Sequence, residues 1–155
     1  MNRPNSWFLI LFLLFLCAAQ KPPTASIYDE KADAHRDVAA AIANAESGQK
    51  NIVLDFGANW CGDCRALYAQ LHNPELASII EKNFVVVDID VGRFDKNLDI
   101  AEQYHVPIKR GIPALAVLDA RGKLLYAMDQ GQFADARHMS FESIKAFFVK
   151  WEPRT

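Results

Sequence analysis

The sequence predicts an α/β protein built on a central mixed sheet of about four strands flanked by helices. Two apolar runs, Asn51 to Gly57 and Phe84 to Asp90, are separated by helical sequence, and a helical crossover between apolar strands favours parallel pairing. Ala114 to Leu118 and Lys123 to Met128 flank the turn Asp119-Ala120-Arg121-Gly122, which reads as an antiparallel hairpin. The segments around these runs carry apolar residues at helical spacing. The 155 residues, 51% hydrophobic and 23% charged, suit one domain with a core large enough to fold without staples. A net charge of -2 leaves no basic excess to neutralise phosphates and argues against nucleic acid as a partner.

The first segment stands apart from this domain. Arg3, the apolar run Trp7 to Leu16 and the small residues Cys17-Ala18-Ala19 read as a secretory signal over residues 1–19, which places the protein in the periplasm or another extracytoplasmic compartment. The apolar run is short for a membrane span, which needs about 20 residues. Cys17 has a second reading as the lipid-modified residue of a lipoprotein, which would attach the protein to a membrane, although Leu16 stands where such signals usually carry a small residue. Residues 20–28, with Lys21-Pro22-Pro23-Thr24, form a linker, and residues 29–155 form the domain.

Within the domain, Ala34, Val38, Ala41, Ile42 and Ala45 share one face of a first helix over Asp33 to Ala45, and Gly48 is its stop. The first strand, Asn51 to Gly57, is continuous in apolar residues except for Asp55, as in a strand covered on both faces. A second helix follows Asn59-Trp60-Cys61-Gly62-Asp63-Cys64, with Cys64, Leu67, Tyr68 and Leu71 on its inner face. Asn73-Pro74 caps a third helix whose Leu76, Ile79 and Ile80 are its buried side. After the second strand comes a polar loop, then a helix from about Leu98 to Tyr104. His105 to Pro113, with two prolines and a glycine, reads as an extended loop before the hairpin, and Phe133 to His138 as a loop after it. Ser140 caps the last helix, where Phe141, Ile144, Phe147, Phe148 and Trp151 make an apolar stripe and Met139 with Ile144 a hydrophobic staple.

The chemistry lies at Cys61 and Cys64. A Cys-x-x-Cys pair closes a redox disulfide or holds half of a metal site. No second such pair exists, and His35, His72, His105 and His138 are scattered, so no metal and no cofactor is expected. Cys61 falls at a helix N-terminus, where unpaired N–H groups and the positive end of the helix dipole favour a thiolate. The helix turns Cys64 inward and leaves Cys61 at the exposed end, so the two thiols are unequal.

The order of elements, with Trp60-Cys61-Gly62-Asp63-Cys64 after the first strand, Asp55 six residues ahead of Cys61 and Ile112-Pro113 ahead of the third strand, resembles the thioredoxin superfamily over residues 33 to 151. The periplasmic members are similar in carrying a signal peptide, and the C-terminal domain of the transmembrane thiol:disulfide interchange proteins is similar in style. The resemblance implies a three-layer sandwich and a protein-disulfide reductase or isomerase. It implies that Cys61 is the nucleophile, Cys64 the resolving thiol and Asp55 a buried acid that exchanges the proton of Cys64. It also implies that Trp60, Ile112 and Pro113 meet an extended substrate, with Pro113 in the cis form. Partners are then protein thiols and disulfides, together with a redox protein that recharges the dithiol.

The chain departs from the family pattern at Asp63, where thioredoxin has proline, and at Val86, where it has a lysine near the buried acid. The loops Arg93 to Asn97 and His105 to Arg110 are longer. An acid inside the dithiol ring opposes the thiolate, while Arg65 favours it; on balance Asp63 points to a reducing or isomerising couple. The alternative function is a thioredoxin-fold binding or chaperone module in which the Cys-x-x-Cys is not catalytic.

Overall fold

The computed structural model describes residues 26–154. The signal over residues 1–19, Cys17 and most of the linker lie outside the described residues. The elements run α1 (Ala34–Gly48), β1 (Asn51–Gly57), α2 (Gly62–Leu71), α3 (Pro74–Asn83), β2 (Phe84–Asp90), α4 (Leu98–Gln103), β3 (Ala114–Leu118), β4 (Leu124–Ala127) and α5 (Phe141–Lys150).

Four strands form one sheet in the order β2-β1-β3-β4, with β1 and β2 parallel and the β1–β3 and β3–β4 pairs antiparallel. The registers decide where chemistry can occur. Gly57 pairs with Asp90 at the C-terminal ends of β1 and β2, and Phe56 pairs with Ala114 at the start of β3. The chain leaving β1 therefore emerges beside the chain entering β3. These are the segments that carry Cys61 and Ile112-Pro113.

Every residue of β1 is buried, as its near-continuous apolar sequence requires. α1 packs on β1 and β2, while α3 packs on β2 and against α2 and α5. α5 seats Ile144 and Phe148 in the core, where the Phe148 ring meets Phe84 edge-on at 5.6 Å. Asn51, the polar residue at the start of β1, donates from its side chain to the Trp151 carbonyl at 2.9 Å, tying the end of α5 to the sheet.

The helix starts follow from their caps. Asp33 accepts from the Arg36 N–H at 3.1 Å, Asn73 from the Glu75 N–H at 3.1 Å, and Ser140 from the Ser143 N–H at 3.2 Å. The end of α1 differs from expectation. Gly48 stays helical and Gln49 takes the left-handed conformation, at φ 52°, because the turn into β1 falls one residue later.

Four other sequence expectations need correction. Tyr68 is 37% exposed rather than buried, because α2 buries the narrower stripe Cys64, Leu67 and Leu71 and leaves Tyr68 to stack on His72 outside it. The loops His105 to Pro113 and Phe133 to His138 each contain a short 3-10 turn, Ile108–Arg110 and Ala136–His138. β4 is shorter than Lys123 to Met128, since the carbonyl of Lys123 accepts from Asp119 across the hairpin turn. Tyr28, the last residue of the expected linker, is fully buried, so the folded unit begins before residue 29.

Candidate active site

β1 ends at Gly57, and Ala58-Asn59-Trp60 carry the chain to the start of α2. Cys61 is the N-cap of that helix, with an extended backbone, and its sulfur accepts the Cys64 N–H at 3.0 Å. An otherwise unpaired helix N–H thus points at the Cys61 sulfur, a placement that would stabilise negative charge on it. Cys61 and Cys64 are joined as a disulfide, with their Cα atoms 5.3 Å apart.

The expectation that Cys61 sits exposed is corrected by its surroundings. It is only 4% exposed, against 0% for Cys64, and its Sγ lies 3.4 Å from the Ile112 carbonyl oxygen. The inequality between the cysteines survives in a weaker form: Cys61 alone retains any access. Ile112-Pro113 is a cis peptide, and both residues are buried. What faces the disulfide there is backbone, the group that an extended peptide would read.

Asp63 does not oppose the thiolate unaided. Its Oδ1 accepts from Arg137 Nε at 3.0 Å and from the Arg137 N–H at 3.1 Å. Burial pulls this carboxyl upward, but the hydrogen bonds and charge of Arg137, with the charge of His138, outweigh it and hold the group below the usual carboxylate range. The Arg137 guanidinium also lies over Gly62, so the turn Ala136–His138 places a cation beside the dithiol ring. Arg65, expected to favour the thiolate, instead spends a guanidinium N–H on the Asn59 carbonyl.

A prediction follows from this pair. In Arg137→Ala the Asp63 charge is left uncompensated beside Cys61, and alkylation of the reduced dithiol by iodoacetamide at neutral pH should slow about two- to five-fold, the scale of a half-exposed ion pair. Asp63→Asn in the same background should restore the rate. An unchanged rate in Arg137→Ala would remove Arg137 from the electrostatics of the site.

Trp60 is not a core residue: it is 46% exposed, its Nε1 donates to the Gly92 carbonyl at 2.7 Å, and its ring meets Phe94 edge-on at 5.9 Å. It therefore packs on the loop after β2, one residue ahead of Cys61 in the chain. Arg110 donates to the Asp129 carbonyl at 2.8 Å and to Gln130 Oε1 at 3.2 Å, tying the loop before β3 to the segment after β4.

Asp55 is buried in the middle of β1. Its Oδ2 accepts from the Tyr28 hydroxyl at 3.1 Å, while Oδ1 has no hydrogen-bond partner. Burial pushes this carboxyl well above the usual range, and the charge of Asp88, its register partner on β2, adds to the effect; the bond from Tyr28 opposes it. Sequence reasoning found Asp55 but missed Tyr28, Arg137 and Asn59, of which only Asn59 lay beside the motif. Among the described residues no group of three His, Cys, Asp or Glu side chains is placed to hold a metal.

Comparison with known proteins bears on the family and the fold of the chain. Residues 33–120 match the family described as thioredoxin-like. A solved structure of a disulphide isomerase from Xylella fastidiosa Temecula1 is 46% identical, with a TM-score of 0.78, covering 81% of this chain and 96% of that one. Thioredoxin-1 of Drosophila melanogaster is 30% identical over 118 residues, which span 76% of this chain and 92% of that protein. The oxidised C-terminal domain of DsbD from Neisseria meningitidis, 22% identical with a TM-score of 0.52 over 83% of this chain and all of that domain, shares the fold.

Proposed function

The chain belongs to the thioredoxin-like family, and from that premise we propose that it is a thiol:disulfide oxidoreductase that reduces or isomerises protein disulfides through Cys61 and Cys64. The observation that carries this reading is the Cys61–Cys64 disulfide at the N-terminus of α2, with the Cys61 sulfur beside a helix N–H and the Ile112 carbonyl. A metal site or a structural staple has no need of that placement.

In the reducing direction, the Cys61 thiolate attacks one sulfur of a substrate disulfide. The Cys61–substrate bond forms, the substrate disulfide breaks, and the released thiolate takes a proton. Cys64 then gives up its proton to Asp55 and attacks the Cys61 sulfur. The mixed disulfide breaks, the second substrate thiol leaves, and Cys61–Cys64 closes with two electrons passed to the substrate. Backbone beside Ile112 and Pro113 pairs with the substrate, and Trp60 bounds it on the other side. A reduced dithiol protein must return two electrons to close the cycle. Secretion directed by residues 1–19 would place this cycle in the periplasm, and a lipid on Cys17 would hold it at a membrane.

The pairing of Asp63 with Arg137 changes the argument for an electron donor without reversing it. The acid in the ring is largely offset, and no histidine lies between the cysteines to stabilise the reduced form. The couple should therefore lie on the reducing side of the strongly oxidising family members, whose potential is about -120 mV. The test is insulin reduction and reactivation of scrambled ribonuclease, together with a potential measured against glutathione. Activity in either assay with a more negative potential is expected. A potential near that oxidising value overturns the donor assignment, and inactivity in both assays leaves a binding module.

A further inference from the structure

Asp55 is held from outside β1 by a residue that the sequence places in a linker. Tyr28 is fully buried, and its hydroxyl lies 3.1 Å from Asp55 Oδ2. The fit is tight: a Cβ on Gly57, two residues along β1, would sit 2.1 Å from Tyr28 Oη, so the glycine is what lets the phenol reach the acid. The segment carrying Tyr28 is in turn clamped by the redox loop. Asn59 Oδ1 accepts the N–H groups of Ile27 at 2.9 Å and Tyr28 at 3.0 Å, and its Nδ2 donates to the Tyr28 carbonyl at 2.8 Å and to Ser26 Oγ at 2.9 Å. One side chain two residues ahead of Cys61 therefore fixes both edges of the Tyr28 backbone.

We propose that Tyr28 is a positioning residue of this reaction: its hydroxyl holds one oxygen of Asp55 so that the other remains free to exchange the proton of Cys64. This rests on the reading of Asp55 as the proton partner. The bond has a direction that makes it more than a strut. A phenol can donate to the carboxylate, and burial, with the charges of Asp55, Asp88 and Asp90, keeps Tyr28 protonated and donating throughout the working range. It thereby favours the ionised acid against burial and against Asp88, whose own carboxyl is raised by burial and drawn back down by the charge of His72. The segment Ser26 to Tyr28 becomes part of the catalytic apparatus, and Asn59 couples its position to the loop that carries the dithiol.

The test uses the full mature chain with Tyr28→Phe, which keeps the ring and removes the hydroxyl. Carboxyl carbon NMR reports the ionisation of Asp55 directly, without any activity. Single-turnover release of a mixed disulfide formed on Cys61 reports the resolving step. Losing a hydrogen bond to a charged acceptor should make Asp55 ionise at higher pH and cut the resolving rate about ten-fold on the rising limb of its pH profile. Asn59→Ala, which frees the Tyr28 backbone and leaves the hydroxyl in place, should move both readouts the same way by less, and it serves if the phenylalanine variant does not fold. An unmoved Asp55 titration overturns the role of Tyr28 while leaving Asp55 as the proton partner. A moved titration with an unmoved rate profile removes Asp55 from the resolving step, and the proposal falls with it.

Discussion

Cys61→Ser is expected to abolish disulfide reduction down to the uncatalysed background, whereas Cys64→Ser is expected to complete the first half-reaction and stop. The two outcomes differ because the structure makes the cysteines unequal. Cys61 is the N-cap of α2 and receives the Cys64 N–H, so negative charge on its sulfur meets a hydrogen-bond donor, and it alone of the pair retains any exposure. Cys64 lies in the first turn with no exposure, reachable by the Cys61 sulfur but by no substrate. A hydroxyl at position 61 cannot form the mixed disulfide, so no later step begins. A hydroxyl at position 64 cannot resolve it, and substrate should accumulate covalently on Cys61. Insulin turbidity measures the first result and non-reducing electrophoresis followed by peptide mapping the second. Adducts found on Cys64 in Cys61→Ser, or turnover in that variant above a variant lacking both cysteines, would reverse the assignment. Adducts formed by Cys64→Ser in the cell would also identify the protein substrates and the protein that recharges the dithiol.

What was legible in the sequence was whatever local pattern controls. The two parallel strands, the hairpin and the last helix follow from period and turn chemistry. Cys61 and Cys64 stand out by their spacing ahead of a helix, Asp55 as an acid in an otherwise apolar strand, and Ile112-Pro113 only through the family resemblance. The residues that escaped notice act across long separations. Arg137 meets Asp63 from 74 positions away, out of a segment with no periodicity, and Tyr28 meets Asp55 from 27 positions away, out of a stretch that follows two prolines. Nothing in the neighbours of Arg137 or Tyr28 announces a partner. The exposure of Cys61 was misjudged for the same reason: the group that covers it, the Ile112 carbonyl, is brought there by the antiparallel pairing of β1 and β3 and is absent from any local reading of the helix.

Asp55→Asn is expected to slow the resolving step at neutral pH by about 100-fold or more, the lower range of what a positioned acid or base contributes, and to gain stability relative to the wild type as pH rises. Both effects come from one property. Burial, reinforced by Asp88, raises the folded-state pKa of Asp55 above that of an unfolded aspartate, about 3.9. Below that value the acid is protonated in both states and contributes no pH dependence. Above it the unfolded chain ionises while the folded chain keeps the proton, so this group lowers stability by up to about 1.4 kcal/mol per pH unit until the folded acid also ionises. Asparagine removes the term, so the difference between variant and wild-type stability, measured by urea unfolding of the oxidised proteins across that window, should widen with pH and then level off. Parallel curves would mean that Asp55 is not held protonated. The kinetic half has its own signature: the deficit in mixed-disulfide resolution should shrink at alkaline pH, where Cys64 loses its proton to solvent and no longer needs an internal base. A deficit that stayed constant with pH would make Asp55 a packing element of β1 and return the proton of Cys64 to some other group.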